Sequence, residues 1–374
     1  MPDSFKSSIS SVEAAKSIKK GLKKYLPKAK LIEIPISDGG EGFIDAILHN
    51  VGGRKQRVTI IDKSGKRFGA YYGIMNDEKT AIIESAMSIG INRYKDENIL
   101  KRSSYNLGFL IKKVLSAGFR NIIIGLGGSG TNDAGIGMLS ALGTIFYDEN
   151  DEIIEASAEN LSKIAEVDTS ALDRRLKICK ILTLADVINP IIGENSASNV
   201  YAKQKGASQN EIEILEKGMQ HFTKVIKKQF GWDITAEKML GAAGATAFSL
   251  KYFLKSKLTL GIDYMIKLTT LENKIKNADW VISGEGKYDS QTAYGKAIWG
   301  IKLLCDKYEV PLIILTGSSE HILKDRDHNV IDISSSGFSK EFSMKHAKKL
   351  LTHYGKFISW MISQKEVNQI DTSS

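Results

Sequence analysis

The stretch "NIIIGLGGSGTNDAG", residues 121–135, joins a short apolar run to a glycine-rich turn that holds Ser129, Thr131, Asn132 and Asp133. Gly125, Gly127 and Gly130 satisfy a GxGxxG spacing, and Asp148 follows at about the position of a ribose-binding carboxylate, so dinucleotide binding is one reading. Asp133 opposes it. A carboxylate beside a docking pyrophosphate is repelled, and no Lys or Arg adjoins it in the loop. Next to a magnesium ion or a substrate hydroxyl the same carboxylate becomes useful, while Gly127 and Gly128 let backbone N–H groups approach an anion. A plainer alternative is a tight strand-to-helix turn capped by Thr131 or Asn132.

Four further turns of small or acidic residues end apolar runs: "SDGGEG" at 37–42, "ADVINP" at 185–190, "SGEGKYDS" at 283–290 and "TGSS" at 316–319. Together with the glycine loop they suggest a cleft that handles phosphate and metal. None contains a histidine, which leaves a Ser-His-Asp hydrolase with little support. Carboxylates and lysines suit phosphoryl transfer, where catalysis is mainly positioning and charge neutralisation. "SQTAYGKA" at 290–297 is not a Walker loop, because Ser290 replaces the first glycine and Ala297 the magnesium-binding hydroxyl. Lys296 within it remains a candidate for facing a phosphate.

These turns need a scaffold. "SSVEAAKSIKKGLKKYL" (10–26) has helical spacing of Val12, Ala15, Ile18 and Leu22, and "FIDAILHNVG" (43–52) reads as a second helix. "KLIEIPI" (30–36), "RKQRVTII" (54–61), "TAIIESA" (80–86), "KICKILTLAD" (177–186), "ADWVISGEG" (278–286), "VPLIILTGSS" (310–319) and "NVIDISSSG" (329–337) read as strands or strand ends. Alternation of this kind predicts an α/β protein with largely parallel sheets, whose ligands gather at the carboxyl edge.

Bulk properties narrow the class. The chain has 374 residues, 42% hydrophobic, and a net charge of +9 that is scattered rather than striped. That excess suits small anionic substrates; no aromatic-interleaved basic stripe or finger spacing points to nucleic acid. No apolar run approaches the roughly 18 residues of a membrane helix and no signal peptide is legible, so a cytoplasmic protein without a membrane partner is expected. Cys179 and Cys305 read as core thiols, and the polar end "KEVNQIDTSS" as a disordered tail.

In order along residues 2–320, "PDSFK", "DGGEG", "GGSGTNDAG", "NPIIG" with "QKGA", "GAAGA" and "GEGKYDSQT" with "GK" resemble the motifs of the bacterial glycerate kinase type I family. The resemblance implies an ATP- and Mg2+-dependent kinase acting on D-glycerate, with 2-phosphoglycerate favoured over 3-phosphoglycerate. It also implies a two-domain α/β fold with the site in an interdomain cleft. We expect a Rossmann-like parallel-sheet domain from 1–66 and 279–374, and an inserted α/β domain at 67–278. The matched motifs contain Asp38, Gly39, Gly40 and Glu41, then Thr131, Asn132 and Asp133, then Asp186, Asn189, Gln204 and Lys205, then Glu285, Asp289 and Gln291. On chemical grounds Asp186 orients the attacking hydroxyl, Lys205 or Lys296 neutralises the transferred phosphate, and Asp133 or Asp289 lies near the metal. Lys6, Asp38, Asn189 and Gln204 are candidates for binding substrate. Gly127, Gly128, Ser129, Thr131, Asn132, Glu285 and Lys296 are candidates for binding phosphate or nucleotide. An NAD(P)-dependent hydroxy-acid oxidoreductase and a non-catalytic glycerate-binding protein stay open. One departure stands out: family members begin with a short apolar strand before "PDSFK", whereas here Met1 precedes Pro2 directly. Loss of that strand would expose two sheet edges and remove side chains that contribute about 1.5–3 kcal/mol each when fully buried.

Overall fold

The computed structural model describes residues 1–288, 297–319 and 330–371. Contacts group the chain into two compact units, one formed by Met1–Ser37, Asp45–Val51 and Ile262–Ser374, the other by Asp38–Ile44 and Gly52–Gly261. Residue 66, where the sequence suggests a cut, lies in a hairpin turn, and residue 278 lies just before a strand.

The unit around 52–261 is built on a six-stranded sheet. Its strands are β1 (Gly53–Ile61), β2 (Arg67–Met75), β3 (Thr80–Glu84), β4 (Asn121–Gly125), β7 (Lys180–Ala185) and β8 (Lys257–Leu260), in that spatial order. β5 (Ile145–Tyr147) and β6 (Glu166–Asp168) pair separately. β3, β4, β7 and β8 are mutually parallel, while β1–β2 and β2–β3 are antiparallel. The sheet is thus mixed, less parallel than the alternation of runs suggested. The hairpin had a signal: Asp62 accepts bonds from the N–H groups of Ser64 and Lys66, a side-chain-stabilised turn in "DKSGK". β3 and β4 are nearly continuous apolar runs because both faces are covered. The helix Tyr105–Ser116 supplies part of that cover, burying Leu107, Leu110, Ile111, Val114 and Leu115 at helical spacing. Parallel direction places Glu84, Gly125, Ala185 and Leu260 at one carboxyl edge.

In the other unit, β9 (Val281–Glu285), β10 (Leu312–Thr316) and β11 (Val330–Asp332) form a parallel sheet in the order β11-β10-β9. The expected strand at 30–36 is not formed as such. Pro35 has no N–H to give, and one bond, from Ile36 N to Pro2 O at 3.0 Å, joins the segment to its neighbour. That neighbour is the chain start: Met1 donates its terminal nitrogen to Ile282 O at 2.5 Å, and Asp3 N bonds Gly284 O at 2.8 Å. Beside it lies a groove of about 720 Å³, lined by Met1, Leu22, Ile32, Ile34, Trp280 and Ile282. The helix Ser11–Leu22 packs on the C-terminal helix Ala347–Asp371 through two glycines; a Cβ on Gly355 would lie 2.5 Å from Ile18 O, and one on Gly21 would strike Thr352 O. That helix continues to Asp371, through most of the tail expected to be disordered. Among the described residues, no helix is long and apolar enough to cross a membrane.

Candidate active site

Most of the carboxylates and glycines singled out in the sequence lie at the carboxyl edge of the six-stranded sheet. The glycine loop leaves β4 and immediately meets two other turns. Gly127 N donates to Gly39 O at 3.0 Å, and Leu126 N to Leu184 O, near the end of β7, at 2.9 Å. A Cβ on Gly127 would lie 2.6 Å from Gly40 N, so this backbone-to-backbone approach requires glycine there. Asp38, half-buried, folds its own turn by accepting Gly40 N at 2.9 Å. Asp186 is half-buried just beyond β7, and its charge contributes to raising the Tyr201 phenol, after the larger effect of burial. Asn189 is held by Tyr201 Oη, which donates to its Oδ1 at 3.1 Å, while its Nδ2 donates to Asn195 O at 2.7 Å.

Lys205 is a buried cation at this edge. Its Nζ donates to Thr131 O at 2.8 Å and, more weakly, to Ser129 Oγ at 3.4 Å. Burial lowers its pKa to about 8, against the opposing pull of the Asp133 charge. Gln204 is exposed and, with Lys205, lines a cleft of about 550 Å³ whose wall also carries Asp96, Glu97 and Glu211. Those carboxylates suit an anionic substrate poorly, which favours the glycine-loop side of Lys205 for phosphate.

Asp133 is fully buried. Its Oδ2 accepts from Ser104 N (2.7 Å), Ser104 Oγ (2.8 Å) and Gly137 N (3.2 Å), and its Oδ1 from Gly135 N (3.2 Å). Burial pushes its pKa up and these donors pull it back. The helix following the loop starts at Ile136, so Asp133 rather than Thr131 or Asn132 satisfies its first N–H groups. Asn132 donates to Ser198 Oγ at 2.9 Å, yet its Oδ1 and the Thr131 Oγ1 are buried without a partner. Gly128 takes a left-handed φ of 73° in the loop.

In the other unit, Glu285 ends β9 almost buried, and the backbone of exposed Lys6 lies alongside Gly286, where a Cβ would approach Lys6 N to 3.2 Å. Phe5, buried, anchors that turn. Asp289, Gln291 and Lys296 lie outside the described residues. Among the described residues no group of three or more His, Cys, Asp or Glu side chains could hold a metal ion. Asp133 is engaged by four donors.

Two features went unread in the sequence, the role of Glu84 and the backbone conformation of the "GAAGA" motif. Glu84, buried at the end of β3, accepts Gly42 N (3.2 Å) and Ile44 N (3.3 Å) and so fastens the "DGGEG" turn. An acid closing the run "TAIIE" was its signal. The "GAAGA" segment takes left-handed conformations at Ala243, Gly244 and Ala245, and Gly244 O accepts Ala134 N at 3.0 Å. Two alanines in such a turn leave no signal. The dinucleotide reading loses its ribose carboxylate, because Asp148 follows β5, outside the six-stranded sheet, and accepts Asn150 N and Glu152 N in an ordinary turn.

Comparison with known proteins agrees with this assembly. The model of the glycerate kinase family matches residues 1–363. The chain is 38% identical over 319 residues to glycerate 2-kinase of Escherichia coli and 37% identical over 319 residues to glycerate kinase of Halalkalibacterium halodurans, covering 85% of this chain and 84% of each relative. A crystal structure of a candidate glycerate kinase 2 from Salmonella typhimurium LT2 superposes with a TM-score of 0.80 at 32% identity, covering 98% of this chain and 97% of that one. Glycine loop, acidic turns, fold and relatives concur: the chain belongs to the glycerate kinase family.

Proposed function

We propose that the protein transfers the γ-phosphoryl group of Mg-ATP to a hydroxyl of D-glycerate in the cytosol, favouring the 2-hydroxyl. One observation carries the reading: turns far apart in sequence interlock at a single sheet edge, through Gly127 N to Gly39 O, Leu126 N to Leu184 O, and Lys205 Nζ to Thr131 O. In the proposed reaction the glycerate hydroxyl attacks the γ-phosphorus, the bond to the β-phosphate oxygen breaks, and ADP leaves. Asp186 orients that hydroxyl and takes its proton. Lys205 neutralises charge on the transferred group, and the N–H groups of Gly128 and Ser129 face the phosphates. Asn189 and Asp38 are the proposed glycerate contacts. Asp133 acts by shaping the loop, since its oxygens are already engaged.

The oxidoreductase alternative lacks its ribose carboxylate, and a non-catalytic binding role is not favoured by the relatives. The test is a coupled ADP assay on purified protein with ATP, Mg2+ and D-glycerate, the product assigned by 31P NMR. Phosphoglycerate formation dependent on both glycerate and metal is expected. No phosphoglycerate would end the kinase reading, and 3-phosphoglycerate as main product would end the positional preference.

A further inference from the structure

We propose that Arg102 is a positioning residue, holding Lys205 and the glycine loop in one fixed relation for phosphoryl transfer. The proposal rests on the site reading above. Arg102 is almost buried, and its Nη1 donates to two segments remote in sequence: Gly130 O at 3.1 Å and Lys205 O at 2.8 Å. Its Nε donates to Glu97 O at 2.9 Å, which fixes the plane of the guanidinium. Tyr94 presents its ring 5.7 Å from that group and ties its own hydroxyl to Ser103 O, the residue next to Arg102. Lys205 closes the arrangement from the other side by donating Nζ to Thr131 O, the carbonyl next to Gly130 O. Two neighbouring loop carbonyls are therefore held by two cations that are themselves linked, Arg102 bonding the Lys205 backbone.

The chemistry of the acceptors argues for more than stabilisation. All three Arg102 partners are carbonyl oxygens, so a guanidinium is kept inside the protein without a carboxylate in direct contact. Burying charge on these terms is costly, and a structural link alone would be served by a neutral donor. Arg102 combines rigid fork geometry with a permanent charge beside Lys205, whose ammonium it disfavours while Asp133 favours it. The charged and titratable groups acting on Arg102 are Glu97, Tyr94 and Glu211.

The test compares wild type, Arg102→Gln and Arg102→Lys. For Arg102→Gln, kcat falls about 100-fold, as for a misplaced reacting group, with a much smaller change in KM. The alkaline limb of its rate profile moves to higher pH, because the charge that disfavours the Lys205 ammonium is gone. Arg102→Lys restores the limb but not the full kcat. Amide exchange read by mass spectrometry, which needs no activity, rises at residues 127–133 and 202–206 in Arg102→Gln and stays at the wild-type level in β1 and β2. Unchanged exchange in those two segments, or an unmoved limb in an active variant, would overturn the proposal. Should wild type itself show no kinase activity, the reading of the site falls while the exchange result still decides whether Arg102 holds the two segments. If Arg102→Gln does not fold, Arg102→Lys carries the same exchange comparison, with a smaller rise expected at 127–133.

Discussion

Lys205 holds the charge this site can least replace. Lys205→Met is expected to lower kcat by about 100- to 1,000-fold in the ADP assay, the scale of removing one preorganised charge-stabilising donor. Its pKa of about 8 sets the direction of the pH response: the ammonium is present below that value and lost above it, so wild-type kcat declines as pH rises through about 8. Asp133 has a different character. In Asp133→Asn the new amide directs N–H groups at donors that need an acceptor, and unfolding in urea should show a loss of about 2–4 kcal/mol. Asp133 could be read from the glycine turn that ends an apolar run, and Lys205 from the "QKGA" motif of the family resemblance. The part Asp133 plays could not, since its principal donors come from Ser104, 29 positions upstream.

At the scale of elements, the parallel strands were legible because coverage on both faces leaves an unbroken apolar run, as in β3, β4 and β10. The segment 30–36 alternates apolar residues with Glu33 and still forms no ladder, because Pro35 has no N–H to give. The left-handed turn at 243–245 was invisible for the opposite reason: alanine advertises helix. It yields a pair of predictions of opposite sign. Ala243→Gly relieves a conformation costing an L-residue about 1–2 kcal/mol and should move the urea midpoint upward. Gly244→Ala keeps the strain and drives a Cβ to 2.5 Å from Asn132 Cα, so it should move the midpoint downward and depress kcat.

Across the whole molecule, the order of motifs suggests one discontinuous unit around a continuous insert at 67–278, whereas contacts divide the chain into two units that are each discontinuous, along cuts no local pattern encodes. The helices Ser11–Leu22 and Ala347–Asp371 come from distant parts of the chain and meet backbone to backbone: a Cβ on Gly355 would lie 2.5 Å from Ile18 O, and one on Gly21 would strike Thr352 O. Gly355→Ala should therefore lower the midpoint of urea unfolding. Each helix leans on a glycine of the other, so a fragment carrying only one of them would uncover the apolar stripe that its counterpart now shields.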